Sequence, residues 1–152
     1  MDTAIEKVKA QFPDDIVDSY EFRGDTTLTV TPAKLVDICL FLRDDPDTSF
    51  RYLSSISGVD YLPTSPRYAA VYHLYSHQYK KRLALKAFCA NDELPALPTV
   101  VPVWSTADWH EREAFDLVGI KFIGHPDLRR ILTPPECEGY HPLRKDYPQE
   151  GF

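Results

Sequence analysis

Residues 50–90 constrain the fold more than any other part of the chain. The runs "FRYLSSISGVDYL", "RYAAVYHLYSH" and "KRLALKAFCA" follow one another, with only "LPTSP" and "QYKK" at their joins. The second is rich in Tyr and Val, residues that suit a pleated, half-buried surface. In the last run Leu83, Leu85, Ala87 and Cys89 point one way and Arg82, Lys86 and Phe88 the other, the period of a strand with one buried face. A parallel crossover needs a dozen or more residues, so joins this short can hold only hairpins. The expectation is an antiparallel meander, with Gly58 at a bulge or turn.

The flanking segments add helices to that sheet. Residues 3–12 place Ala4, Ile5, Val8 and Phe12 on one side of a helix, which Pro13 and two aspartates end. "DIVDSYEFR" and "TTLTVT" read as strands around a short "GD" turn. Thr31 and Pro32 have the form of an N-cap and first helical residue ahead of Leu35, Val36, Ile38, Leu40, Phe41 and Leu42. "NDELPALPTVVPVW" is broken by proline and should be extended. Ser105 or Thr106 then caps a third helix that runs through Val118, and Gly119 stands where a left-handed C-terminal residue belongs. Prolines at 134, 135, 142 and 148 bar a long helix from the end of the chain. The fold class is therefore α+β: a mostly antiparallel sheet with helices packed on it, then the third helix and an extended proline-rich arm. Residues 1–133 form the single domain, and residues 134–152 the arm, expected to dock on a partner subunit.

Composition excludes several functions. Of the net charge of −6, all lies in residues 1–63, with 12 acids against 6 basic residues; residues 64–152 carry 11 of each. An acidic first part does not suit a phosphate backbone, which calls for a positive field, so nucleic acid is not an expected partner. Cys39, Cys89 and Cys137 are odd in number and far apart, which fits a reducing compartment without a disulfide framework. The longest apolar run, "ICLFL", is far below the roughly 18 residues of a spanning helix. The amphipathic, acidic start does not resemble a targeting peptide. Any link to a membrane is expected to come through partners.

The chemistry-bearing stretch is "WHEREAFDLVGIKFIGHPDLRRIL". "HERE" suggests a zinc-hydrolase helix, but that motif needs a second His four residues on, and His110 plus four is Ala114. His110, His125, Cys137 and His141 have no tight ligand spacing. Gly119 and Gly124 bracket four residues, yet His125-Pro126 follows where a phosphate loop needs Lys-Ser/Thr. There is no G-x-G-x-x-G and no cluster of four cysteines for an iron–sulfur centre. Glu136 and Glu138 flank Cys137, which would raise its thiol pKa and blunt it as a nucleophile.

Helical phasing is more informative. Ala107, Glu111, Ala114, Phe115 and Val118 share one stripe; Trp109, Arg112, Glu113 and Asp116 share another. Asp108–Arg112 and Arg112–Asp116 have i,i+4 spacing, worth about 0.2–0.5 kcal/mol each as exposed pairs. A carboxylate in an apolar stripe needs a partner. "DLRR" supplies planar guanidinium groups suited to carboxylates. The expectation is a buried or half-buried charge lattice between "EREAFD" and "DLRR"; a structural lattice and a partner surface both stay open, and catalysis has the least support.

At these residues the chain resembles the C-type hydrophilic subunit of NADH–quinone oxidoreductase, respiratory complex I. The signature of that family is E-R-E-x-x-D, two apolar residues, six spacers, His, three residues, a basic residue, one more and two aliphatic residues. It is met by Glu111, Arg112, Glu113, Asp116, Leu117, Val118, His125, Arg129, Ile131 and Leu132, with Pro126, Asp127 and Arg130 in its spacers. A second family motif, "GHPLRKDYP", occurs as "GYHPLRKDYP", carrying His141, Pro142, Arg144, Lys145 and Asp146 with Tyr140 inserted. The resemblance implies a scaffold subunit of the peripheral arm, on the cytoplasmic side of the membrane, with no catalytic residue, metal or cofactor site of its own. FMN, iron–sulfur clusters and quinone would belong to partners. The nearest of these would be the quinone-pocket subunit (D type) and its iron–sulfur neighbour (B type). The assembly would oxidise NADH, reduce quinone and translocate protons. The alternative implied is the equivalent subunit of a related membrane-bound complex, of hydrogenase, F420H2 dehydrogenase or photosynthetic NDH type.

Overall fold

A computed structural model describes residues 3–149. The elements in order are α1 (Thr3–Gln11), β1 (Ile16–Phe22), β2 (Asp25–Val30), α2 (Leu35–Asp44), β3 (Tyr52–Asp60), β4 (Tyr68–Ser76), β5 (Lys81–Phe88), β6 (Ala96–Pro98), α3 (Ala107–Val118) and β7 (Lys121–Ile123). β1 to β5 form one sheet in the order β1-β2-β5-β4-β3, and β6 and β7 pair as a separate parallel ribbon. β3, β4 and β5 are the antiparallel meander that the short joins require.

The pairing of β2 with β5 is parallel. It arises because α2 and the meander intervene: the chain leaves β2, crosses one face as α2, enters at the far edge as β3 and works back to the centre. β5 ends up flanked by β2 and β4, so its Leu83, Leu85 and Ala87, and Cys89 just beyond it, are all buried.

The core lies on the helix-covered face. Ala4, Ile5 and Val8 of α1 and Leu35, Ile38, Cys39 and Leu42 of α2 pack with Leu28, Val30, Tyr72, Leu74 and Leu85 of the sheet. Gly58 is neither a bulge nor a turn. It pairs in register with Ala70, and the irregularity of β3 falls at Leu53/Ser55. A Cβ at position 58 would meet Val118 Cγ2 at 3.1 Å and Ala114 Cβ at 3.5 Å. The glycine is there so that α3 can lie close on the sheet.

The two predicted N-caps differ from the observed ones. Pro32–Lys34 forms a 3₁₀ turn ahead of α2, and the Thr31 hydroxyl donates to the Asp15 carboxylate at 2.8 Å rather than to the helix. Thr106 precedes α3 with helical backbone angles and makes no side-chain cap; a tight turn, with Ala107 N–H on Trp104 O and Asp108 N–H on Ser105 O, starts the helix instead. The C-terminal stop is as expected: Gly119 has φ +90° and its N–H donates to Ala114 O and Phe115 O.

Candidate functional site

The site is built on α3 and the two segments that follow it. Glu111, Arg112, Asp116 and Val118 are all buried on this helix, although only one of them is apolar. Each charged group has a different answer to its burial.

Glu111 is fully buried, and its donors are not the arginines that the spacing suggested. The Thr99 hydroxyl lies 2.6 and 2.7 Å from its two oxygens, and Val100 N–H donates at 2.9 Å. Burial pushes its pKa up to about 7 against the pull of these bonds. Thr99 lies beside the β6 strand, so the carboxyl ties α3 to the ribbon.

Arg112 and Asp116 sit one turn apart and grip the same passing strand of main chain. Arg112 donates to Arg129 O and Arg130 O, both at 3.1 Å. Asp116 accepts the N–H groups of Ile131 at 3.1 Å, Leu132 at 2.7 Å and Thr133 at 2.9 Å, together with the Thr133 hydroxyl. One helix face thus supplies both donors and acceptors to residues 129–133, a task that a neighbouring strand does in a sheet. Arg130 closes the arrangement at 2.8 Å from Asp116 Oδ1, with further bonds to the Thr133 hydroxyl and Tyr140 O. Burial opposes the ionised Asp116, yet the Thr133 hydroxyl and the three amides outweigh it and hold its pKa at about 2. Neither i,i+4 pair forms among the described residues: Arg112 is turned to the carbonyls and lies 5.5 Å from the centre of the Trp109 ring.

The second motif caps the same helix. Its last carbonyls would otherwise lack partners. His141 Nδ1 is 3.0 Å from Asp116 O, Leu143 N–H donates to Leu117 O at 2.8 Å, and Arg144 Nε donates to Val118 O at 2.7 Å. The Arg144 cation also suits the negative end of the helix and lies 5.0 Å from the Tyr68 ring centre. Desolvation pushes the His141 pKa down, which keeps a neutral ring at this contact. Gly119 makes room: a Cβ there would overlap the Arg144 guanidinium and come within 2.8 Å of His141 Cδ2. Beyond it, Lys145 N–H donates to Asp60 Oδ2 and its ammonium to Leu62 O. Asp60 is doubly bonded to Arg67, which holds its carboxyl far below the usual range, and Arg67 also reaches Asp146 at 3.1 Å. Residues 134–149 contain a 3₁₀ turn at Pro135–Cys137 and are pinned along the end of α3 and the β3–β4 loop.

The remaining motif residues separate. The His125 side chain is covered; its Nδ1 accepts the Asp127 N–H at 3.0 Å, so Nε2 carries the proton towards Asp108 O and Asp108 Oδ1, both at 3.1 Å. Among the described residues, Arg129 pairs only with Asp127, in solvent. Glu113 and Pro126 are exposed, and Pro142 is half-buried. Among the described residues, no group of three or more His, Cys, Asp and Glu side chains is placed to hold a metal ion. Burial raises the thiol pKa of Cys39 and pushes that of Cys89 up to about 12. Thr99, Asp60 and Arg67 were missed by sequence reasoning, because nothing in their local spacing marks them as partners of residues 12 to 85 positions away.

Fold and site together define an α+β domain in which charged side chains fix main chain, with exposed Trp109, Leu132, Tyr140 and Leu143 around the lattice. A family model described as the respiratory-chain NADH dehydrogenase 30 Kd subunit matches residues 28–152, and the chain belongs to that family. The C-type subunit of the NADH-quinone oxidoreductase of Roseiflexus sp. (strain RS-1) is 47% identical over 146 residues, covering 96% of this chain and 83% of that protein. The subunit of the same name from Geobacter sulfurreducens is 46% identical, covering 97% and 90%. A solved chain of the membrane-bound sulfane sulfur reductase, an archaeal respiratory membrane complex, superposes with a TM-score of 0.77 at 23% identity over 95% of this chain and 84% of that one. At that identity the likeness is one of fold. No helix of the described residues is long and apolar enough to cross a membrane.

Proposed function

We propose that this chain is the C-type scaffold subunit of the peripheral arm of an NADH–quinone oxidoreductase. It holds no redox centre: FMN, iron–sulfur clusters and quinone are bound by its neighbours, and the assembly transfers electrons from NADH to quinone and translocates protons. α3 with the pinned arm, presenting Trp109, Glu113, Arg129, Leu132 and Leu143, docks on the quinone-pocket subunit (D type) and its iron–sulfur partner (B type). The protein works on the cytoplasmic side, peripheral to the membrane and attached only through the complex. The observation that carries this reading is that the family signature coincides with the Arg112–Asp116 grip on residues 129–133. Charges otherwise suited to chemistry are there committed to holding a surface in shape.

A second reading, the equivalent subunit of a related membrane-bound complex, is favoured by one observation: the archaeal chain of different electron chemistry has the same fold. Affinity capture of the native chain, with mass identification of what accompanies it, separates the two. Flavin-binding and NADH-oxidising chains are expected. A nickel–iron chain in their place overturns the NADH reading, and capture of no quinone-pocket subunit overturns both.

A further inference from the structure

Most described cations have partners. Lys7 is matched by Asp45 and Asp47, Arg43 by Asp44, Arg67 by Asp60, and Arg130 by Asp116; Arg112, Arg144 and Lys145 donate to carbonyls. Lys9, Arg23, Arg51, Lys80, Arg82 and Lys121 differ. Among the described residues, none of the six has an ion pair or a side-chain hydrogen bond. Four of them, Lys9, Arg23, Lys80 and Arg82, line one concavity of about 740 Å³ together with Lys81.

It lies between α1 and the tips of the β1–β2 and β4–β5 hairpins. Glu21 and Asp25 are the acids of its described lining, so the four cations without partners, less these two acids, leave +2 in a chain of net −6. Cations held together in excess of nearby acids repel one another, and an arriving anion relieves that repulsion. The volume falls in the range of about 300–1,000 Å³ that takes a ligand of several groups, far more than one oxyanion fills. The cations come from three elements rather than converging on one point. Two are arginines, suited to carboxylates. Tyr20 lines the wall and the exposed Phe22 ring lies 5.1 Å from the Arg23 guanidinium, adding aromatic surface of the kind found at protein contacts. A concave site admits a protruding chain and excludes a flat bilayer.

We infer that this concavity is a docking site for an acidic protein segment, a stretch of a partner subunit bearing several carboxylates in succession. The inference rests on the proposed function only in taking a neighbouring subunit as the source of that segment.

The test uses the full chain with a fluorescein-labelled decaglutamate peptide, a decaglutamine control, and vesicles of mixed phosphatidylglycerol and phosphatidylcholine. The glutamate peptide should bind at low salt and be released towards about 1 M salt, where the screening length is about 3 Å. The double variant Arg23→Glu/Arg82→Glu turns two attractions into repulsions and should weaken binding by about tenfold or more. Lys121→Glu, an exposed cation outside the concavity, should leave binding unchanged. If the double variant does not fold, Arg82→Gln and the salt titration of the unaltered chain carry the test. Equal binding of the glutamine peptide, equal effects of the two charge reversals, no binding, or binding to vesicles but not peptide each overturns the inference. Affinity capture separates the two proposals. Partners retained in full by the double variant overturn the docking site alone; no partners for the unaltered chain overturn the proposed function alone.

Discussion

Replacing Asp116 with Asn tests how much the grip of α3 on residues 129–133 contributes. The carboxylate is fully buried and accepts three main-chain amides, the Thr133 hydroxyl and Arg130. Its folded pKa is about 2, against about 3.9 for an unfolded aspartate. The difference of about 2 units, at 1.36 kcal/mol each, gives about 2.5 kcal/mol of stability from ionisation. Asparagine keeps one acceptor oxygen but sets an amide group against Arg130 and leaves that cation half-buried without its counter-charge. The expected loss at pH 7 is thus about 2–3 kcal/mol, or a Tm lower by about 4–12 °C for a chain of this size. The folded pKa is depressed, so the contribution is fully present above about pH 4 and is lost as pH falls towards 2. Guanidinium unfolding of both proteins should show the full gap at pH 7 and a narrowing gap below about pH 4. A variant within about 0.5 kcal/mol of the unaltered chain at pH 7, or a gap that ignores pH, would refute the reasoning.

The two neighbouring arginines should behave differently despite their adjacency: Arg130→Ala leaves Asp116 without its cation and should cost about 3 kcal/mol, while Arg129→Ala removes only a solvent pair and should cost under about 1 kcal/mol in the same unfolding assay; equal costs would contradict the geometry. Glu111 has a folded pKa of about 7, raised above the unfolded value of about 4.3. Its stabilising effect is complete below about pH 4 and is lost as pH rises through 7. Glu111→Gln should flatten that decline and equal or exceed the unaltered chain in unfolding midpoint at pH 8, and a variant much weaker there would show that the ionised carboxylate is the favoured form. Gly119→Ala should cost at least about 1–3 kcal/mol through its left-handed backbone and the displacement of Arg144. Limited proteolysis should then cut residues 134–149 faster; an unchanged digestion rate would mean that the arm is held elsewhere.

The sequence determined what depends on local pattern. The short joins of residues 50–90 dictated the meander, the period of residues 81–89 its buried face, and Gly119 the stop of α3, because each follows from the chain's own geometry within a few residues. The phasing of α3 also showed that Glu111 lay among apolar groups and needed a partner, and the E-R-E-x-x-D signature showed the family. Tertiary structure decided who the partners were. Thr99 rather than an arginine meets Glu111, since the β6–β7 ribbon brings it there. The parallel β2–β5 pairing depends on where α2 carries the chain, and Gly58 is small because α3 lies on it. Arg129 and Arg130 are alike in sequence, yet one faces solvent and the other a buried carboxylate. Burial and hydrogen bonding depend on groups distant along the chain, and a single sequence carries no distance between them.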